Sequence, residues 1–271
     1  MSTPIIDSLV VDLSEEQQAL HRMLDGEPAS TWTLPTPAEG WTVHDQIAHL
    51  ARFDEVTRMC VAEPAAFISF RDGLEDLQNY VDSVGPENSH RTGSEMLQWW
   101  EQENSLLQTA ALKADPTVRV PWFGPSMSLA SKLTARIMET WAHGQDVADA
   151  MLVDREPTAR LRHVARIGVL AFPNSFRARA LDVPEASVHV SLKDPTGGEA
   201  WVWGPPDAVN SVTGPAEDFC LVVTQRRNVV DTRLDVTGEV ATWWMDVAQA
   251  FAGPAGKGRT PGQFPVPSDE A

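Results

Sequence analysis

Through the first half of the chain, apolar residues recur at mixed three- and four-residue steps, the spacing that keeps side chains on one helical face. In residues 4–25, Ile5, Leu9, Leu13, Leu20 and Leu24 mark such a face, and the run stops at a "DGEP" break. A second helix is expected to open near Thr42 and to run through "VHDQIAHLARFDEVTRMCVA" as far as Glu63-Pro64. "FRDGLEDLQNYVDSVG" reads as partly helical. A third helix, "TGSEMLQWWEQENSLLQTAALKA", starts at a cap on Thr92 or Ser94 and ends before Asp115-Pro116. A fourth spans about Leu129 to Met151. Four helices of this length predict an antiparallel four-helix bundle, and the long second connection also allows a crossover.

After residue 155 the pattern changes. "TARLRHVARIGVLAFPNSFRARAL" is helical with an interruption at Pro173. "ASVHVSL" and "EAWVWG" then alternate as strands around a "KDPTGG" turn, which predicts an antiparallel hairpin. "PAEDFCLVVTQRR" reads as a helix, "DTRLDVTG" as a strand and "EVATWWMDVAQAFAG" as a last helix. The chain is thus α+β overall. A helical bundle is expected over 1–155, a small α+β domain over 156–252, and a Pro- and Gly-rich tail without regular structure over 253–271.

Charge and cysteine content narrow the function. Lys and Arg total 21 against 38 Asp and Glu, a net charge of −17 with no basic stripe, which argues against nucleic acid as a partner. Cys60 and Cys220 stand far apart in no metal-type spacing, so they read as buried apolar side chains in a reducing interior rather than as a disulfide. No basic start followed by an apolar run opens the chain and no stretch approaches a membrane span. A soluble cytoplasmic protein, not bound to membrane, is expected.

The candidate chemistry lies in "ETWAHGQDV", where Glu139 and His143 are four residues apart and share a face with Leu129 and Val147. A carboxylate and an imidazole directed at a core need a partner, and a metal ion supplies one. On the second helix His49 falls on the stripe of Phe53 and Val56, whereas His44 lies nearly opposite, so His49 is the expected third ligand. His21, His44, His90, His163 and His189 read as surface or packing histidines. Arg136, one turn before Glu139, is a candidate either to support the site or to anchor a substrate carboxylate, and Asp146 to orient a ligand histidine. Trp122, Trp141, Trp201 and Trp203 read as core, and Glu15-Glu16 and Glu101/Glu103 as solvated faces.

"WTVHDQIAHLARFDE" and "ETWAHGQDV" resemble the two metal-site motifs of the mycothiol-dependent maleylpyruvate isomerase family, within the DinB-like metalloproteins. Position by position, the resemblance implies a divalent metal held by His49, Glu139 and His143 in a DinB-like bundle. It extends over residues 160–252, which look like that family's sterol-carrier-like C-terminal domain, most strongly in "AEDFCLVVTQRRNVVDTRLDVTGEVATWW". It further implies mycothiol, the low-molecular-weight thiol of actinobacteria, as cosubstrate, and a catalytic arginine at Arg226, with Arg227 as the near competitor.

The expected function is therefore a metal-dependent isomerase or S-transferase that activates a thiol for attack on a small electrophilic metabolite. The alternatives are a hydrolase or lyase using metal-bound water, and a non-enzymatic, metal-stabilised binding protein. Zinc is the first choice of metal, and the same ligands suit nickel, iron and manganese. A monomer or homodimer is expected.

Overall fold

Proline at the first helical position, preceded by an extended Thr3, starts α1 (Pro4–Leu24) in the computed structural model, which describes residues 3–264. A short α2 (Ala29–Trp32) lies in the following connection. α3 (Val43–Ala62) opens with a capping box: Thr42 Oγ1 accepts from the Asp45 amide, and the Asp45 carboxylate accepts from the Thr42 amide at 2.8 Å. Thr92 and Glu95 start α6 (Gly93–Lys113) in the same way. α7 (Leu129–Met151) begins at Ser128, whose hydroxyl accepts from the Ser131 amide at 3.1 Å, and ends where Leu152 turns left-handed at φ 56°. Between α3 and α6 the partly helical stretch resolves into α4 (Pro64–Asp72) and α5 (Leu77–Glu87). A two-residue ladder of β1 (Arg119–Val120) and β2 (Met127–Ser128) precedes α7.

The chain divides after Arg155 into two compact units. In the first, α1 rests mainly on α6 and α7, and α3 packs on the same two helices. Around the ring the order is therefore α1, α6, α3, α7, not the chain order of a bundle in which each long helix lies beside the next. The connections 25–42 and 114–128 are long enough to carry the chain across the diagonal, which periodicity within a helix does not register.

Two apolar layers fill this bundle. One joins Leu9 and Leu13 of α1, Val56 of α3, Leu107 of α6 and Ile137 of α7. The other joins Leu20, Ile47, Trp100 and Val147 of the same four helices. Between them in sequence lie the buried polar groups Gln17, Asp54 and Asn104 of α1, α3 and α6, and Arg136 of α7 joins this belt by donating to Asp54. Two of the carboxylates expected on solvated faces belong to this belt. Glu16 is 2% exposed and paired with Arg155 at 2.6 Å, and Glu103 is 7% exposed and paired with Arg58 at 3.3 Å. Each is buried because a distant part of the chain brings it a counter-charge, whereas Glu15 and Glu101 remain exposed.

The second unit holds α8 (Leu161–Leu170) and α9 (Phe172–Arg177), divided near Pro173, and a four-stranded sheet. β3 (Val188–Lys193) and β4 (Trp201–Trp203) form the expected antiparallel hairpin, with Ser191 opposite Val202. β5 (Asn210–Pro215) pairs parallel with β3, and β6 (Asp235–Thr237) pairs antiparallel with β5, giving the order β4-β3-β5-β6. β5 escaped the sequence reading because "NSVTGP" lacks a sustained alternation and ends in Gly-Pro. α10 (Ala216–Val223) and α11 (Glu239–Val247) cover this sheet. Residues 253–264 have no regular structure, yet Gln249 Nε2 donates to the Pro254 carbonyl and the Gly262 amide donates to Asp231. The remainder of the expected tail, 265–271, lies outside the described residues.

Candidate metal centre

α3 and α7 pack against each other, and each turns polar side chains of the belt toward the other. His49, Glu139 and His143 converge there, each offering one ligand atom, with those atoms within 4.8 Å of one another. Both imidazoles present Nε2 to the same carboxylate oxygen: Glu139 Oε2 is 3.7 Å from His49 and 3.5 Å from His143. The rings are 4.5 Å apart between centroids. The three side chains are 10%, 28% and 14% exposed for His49, Glu139 and His143, so the cluster is mostly buried and opens to solvent at the carboxylate.

Aromatic rings bound the cluster. Trp41 stacks on His143 at 5.9 Å and 19° and leans on His49 at 5.3 Å, while Phe53 stacks on the other ligand histidine, His49, at 4.5 Å. Phe53 continues into contacts with Tyr80, Trp122 and Phe123. Trp41 also borders a cavity of about 360 Å³ between the start of α3 and α5, together with Glu39, Asp45 and Asp82. There Gly85 of α5 is a structural requirement, since a Cβ on it would overlap the Asp45 carboxylate.

Electrostatics favour metal-binding protonation states at two of the three groups, His49 and Glu139. Burial, and then the charge of His143, push the His49 imidazole down to about 4, so it is neutral at pH 7. Burial works against ionisation of Glu139, but the two facing imidazoles, His143 before His49, prevail and hold its carboxyl well below the usual range. Two imidazoles and one carboxylate are a donor set for a divalent cation, open to ligands beyond the protein. His49 Nδ1 is buried without a hydrogen-bond partner, and His143 Nδ1 lies 2.5 Å from Gln46 Oε1. A site meant only for internal hydrogen bonding would bring the two Nε2 atoms and the carboxylate together at shorter range. The residues fit a metal.

The other expected residues have their own partners within each unit. Arg136 is 3% exposed, and its Nε donates to Asp54 Oδ1 at 2.8 Å, with Nη2 3.3 Å from the Leu50 carbonyl. Its charge reaches His49, where it opposes protonation. Asp146 is buried on α7. His44 points away from the cluster, its Nε2 3.3 Å from the Arg91 carbonyl. Arg226 and Arg227 follow α10 in the second unit; Arg226 donates to the Thr224 carbonyl at 2.7 Å, and the Arg227 guanidinium covers the Phe264 ring at 3.9 Å. Cys60 and Cys220 are free and buried. Sequence reasoning passed over Trp41, Gln46 and Asp54. Gln46 had a usable signal, since it lies one turn before His49 on a face otherwise apolar.

Comparison with known proteins agrees with this arrangement. Residues 13–148 match the family model described as the mycothiol maleylpyruvate isomerase N-terminal domain, and residues 184–238 match one described as wyosine base formation. Uncharacterised proteins from two strains of Mycobacterium tuberculosis are each 41% identical over 251 residues, covering 92% of this chain and 97% of their own. Crystal structures of the mycothiol-dependent maleylpyruvate isomerase and of a histidine-to-alanine mutant share the fold. Their TM-scores are 0.56 and 0.55 at 15% identity, over 82% of this chain and 90% of theirs. With most of the bundle and all of its His-Glu-His cluster inside the matched segment, the chain belongs to the mycothiol maleylpyruvate isomerase N-terminal domain family.

Proposed function

We propose that this protein is a metal-dependent enzyme of the mycothiol-dependent isomerase or S-transferase type, acting on a small electrophilic metabolite. The observation that carries this reading is the convergence of His49, Glu139 and His143 from two helices, with their ligand atoms within 4.8 Å. A divalent metal bound there supplies Lewis acidity that lowers the pKa of a coordinated thiol from about 8.5 to below neutrality. His49 and His143 contribute nitrogen donors, and Glu139 contributes charge. Three protein ligands leave room for exogenous ones, and the 28% exposure of the Glu139 side chain marks the side from which they enter. Trp41 and Phe53 cover the flanks of the histidines and keep water from them. Zinc suits this donor set, as do nickel, iron and manganese.

The test uses the full chain. The purified protein is expected to carry about one divalent metal per chain. Replacing that metal with cobalt and adding mycothiol is expected to produce a sulfur-to-cobalt charge-transfer band and to release roughly one proton per site at pH 7. The His143→Ala variant should show neither signal. Absence of bound metal removes the reading altogether. Turnover of an electrophilic substrate without any thiol, and with an unchanged cobalt spectrum, would replace the thiol by water as the nucleophile.

A further inference from the structure

The geometry points to Gln46 as the residue that positions His143, holding it in the tautomer whose Nε2 is free for metal, through a chain of hydrogen bonds whose polarity starts at the Trp41 backbone carbonyl. The inference rests on the metal-centre reading. Trp41 O can only accept, and it takes the Thr36 hydroxyl at 2.9 Å and the Thr36 amide at 2.8 Å. With its proton committed there, Thr36 Oγ1 acts as the acceptor for Gln46 Nε2 at 2.9 Å. The amide nitrogen being fixed on that side, Gln46 turns Oε1 to His143 Nδ1 at 2.5 Å. A carbonyl oxygen is matched only by a protonated Nδ1, so the lone pair of the neutral ring sits on Nε2, the nitrogen facing Glu139.

The chain also closes on itself in space. Trp41, whose carbonyl sets the polarity, lays its indole over the His143 ring. Its loop is held by the bridge between Pro35 and Thr42 and by the Val43 amide donating to the Leu34 carbonyl. Gln46 is fully buried, so no water competes for either end of its amide. The 33–42 loop therefore does more than connect helices: it orients one ligand of the site.

Three substitutions separate the links. Gln46→Leu removes the acceptor, and metal affinity measured by chelator competition is expected to fall about 10- to 100-fold. Gln46→Glu keeps an acceptor toward His143 and is expected to bind metal within about threefold of the parent or more tightly. Thr36→Val removes only the polarity anchor and should fall between the two. Independently of metal, proton–nitrogen correlation spectra of the metal-free protein, with His143→Ala for assignment, should show His143 protonated at Nδ1, and a mixture of tautomers in Gln46→Leu. If the parent carries the His143 proton on Nε2, or if Gln46→Leu binds metal as tightly as the parent, the assignment to Gln46 is wrong. Should Gln46→Leu fail to fold, a tenfold weakening in Gln46→Glu decides against it equally. A parent that binds no metal but shows the Nδ1 proton would sink the metal reading and leave the tautomer intact.

Discussion

Helices α3 and α7 meet through polar side chains at two neighbouring places, and the two places are built on opposite terms. At Asp54 and Arg136 every group is engaged: the fully buried carboxylate accepts from Arg136 Nε at 2.8 Å, Trp100 Nε1 at 3.1 Å and Gln17 Nε2 at 3.2 Å. All four long helices contribute through Gln17, Asp54, Trp100, Asn104 and Arg136. About one turn away, His49, Glu139 and His143 approach one another at 3.5–3.7 Å and leave one ring nitrogen without a partner. The first arrangement is complete and serves the bundle. The second leaves groups unmatched, and a divalent cation is the partner we propose for them. Buried polar groups are tolerated where their partners are all present, so an unfinished cluster beside a finished one supports the ligand site proposed above.

The sharpest way to break this comparison is to remove the ligands. His49→Ala, Glu139→Ala and His143→Ala are each expected to weaken metal binding by on the order of 5 kcal/mol, several thousandfold, in chelator competition. Full occupancy in any one of them would exclude that residue. The completed network should answer in stability instead. Asp54→Ala leaves Arg136 buried without its counter-charge, and urea unfolding is expected to show a loss of roughly 3–5 kcal/mol, with Asp54→Asn losing less because it still accepts hydrogen bonds. A loss under about 1 kcal/mol for Asp54→Ala would mean that the network is not closed.

Acid should distinguish the two places as well. In the metal-free protein the native His49 imidazole titrates at about 4, below its ordinary 6.5, chiefly because it is buried. Between these values the unfolded chain binds the extra proton, so stability is full above pH about 6.5 and falls as the pH drops toward 4. At about 1.4 kcal/mol per unit the loss amounts to roughly 3 kcal/mol at most, and His49→Gln should flatten it. Glu139, held low, keeps its contribution through this window and loses it only below the ordinary glutamate range. Unfolding midpoints at pH 7.5 and 5 measure the difference, and equal slopes in the parent and His49→Gln would count against the burial argument. The smallest effect is expected at His44. Its hydrogen bond to the Arg91 carbonyl and its edge contact with Trp32 predict a loss of about 0.5–1 kcal/mol for His44→Ala, with metal affinity unchanged.

What the sequence determined by itself is everything a helix expresses within its own length. The spans of α1, α3, α6 and α7, the stop at Pro64, the opening near Thr42 and a cap at Thr92 or Ser94 follow from periodicity and end signals, and the structure chooses Thr92. So does the common face of Glu139 and His143, because 3.6 residues per turn fixes it wherever the helix lies. His49 could be chosen over His44 for the same reason. The hairpin of β3 and β4 is equally local.

Only the tertiary structure decided which faces meet. The ring order α1, α6, α3, α7, the pairing of Glu16 with Arg155 across 139 positions and the hydrogen bond between Gln46 and His143 across 97 have no trace in any window of the sequence. β5 is a strand because β3 and β6 lie on either side of it to receive its hydrogen bonds. Likewise Asp54 reads as one more helical carboxylate until Arg136 and Trp100 surround it. The physical reason is common to all of these. Local geometry sets the direction of a side chain relative to its own helix, but the cost of burying a polar group depends on what the rest of the chain brings to it, and that is settled only when the helices pack.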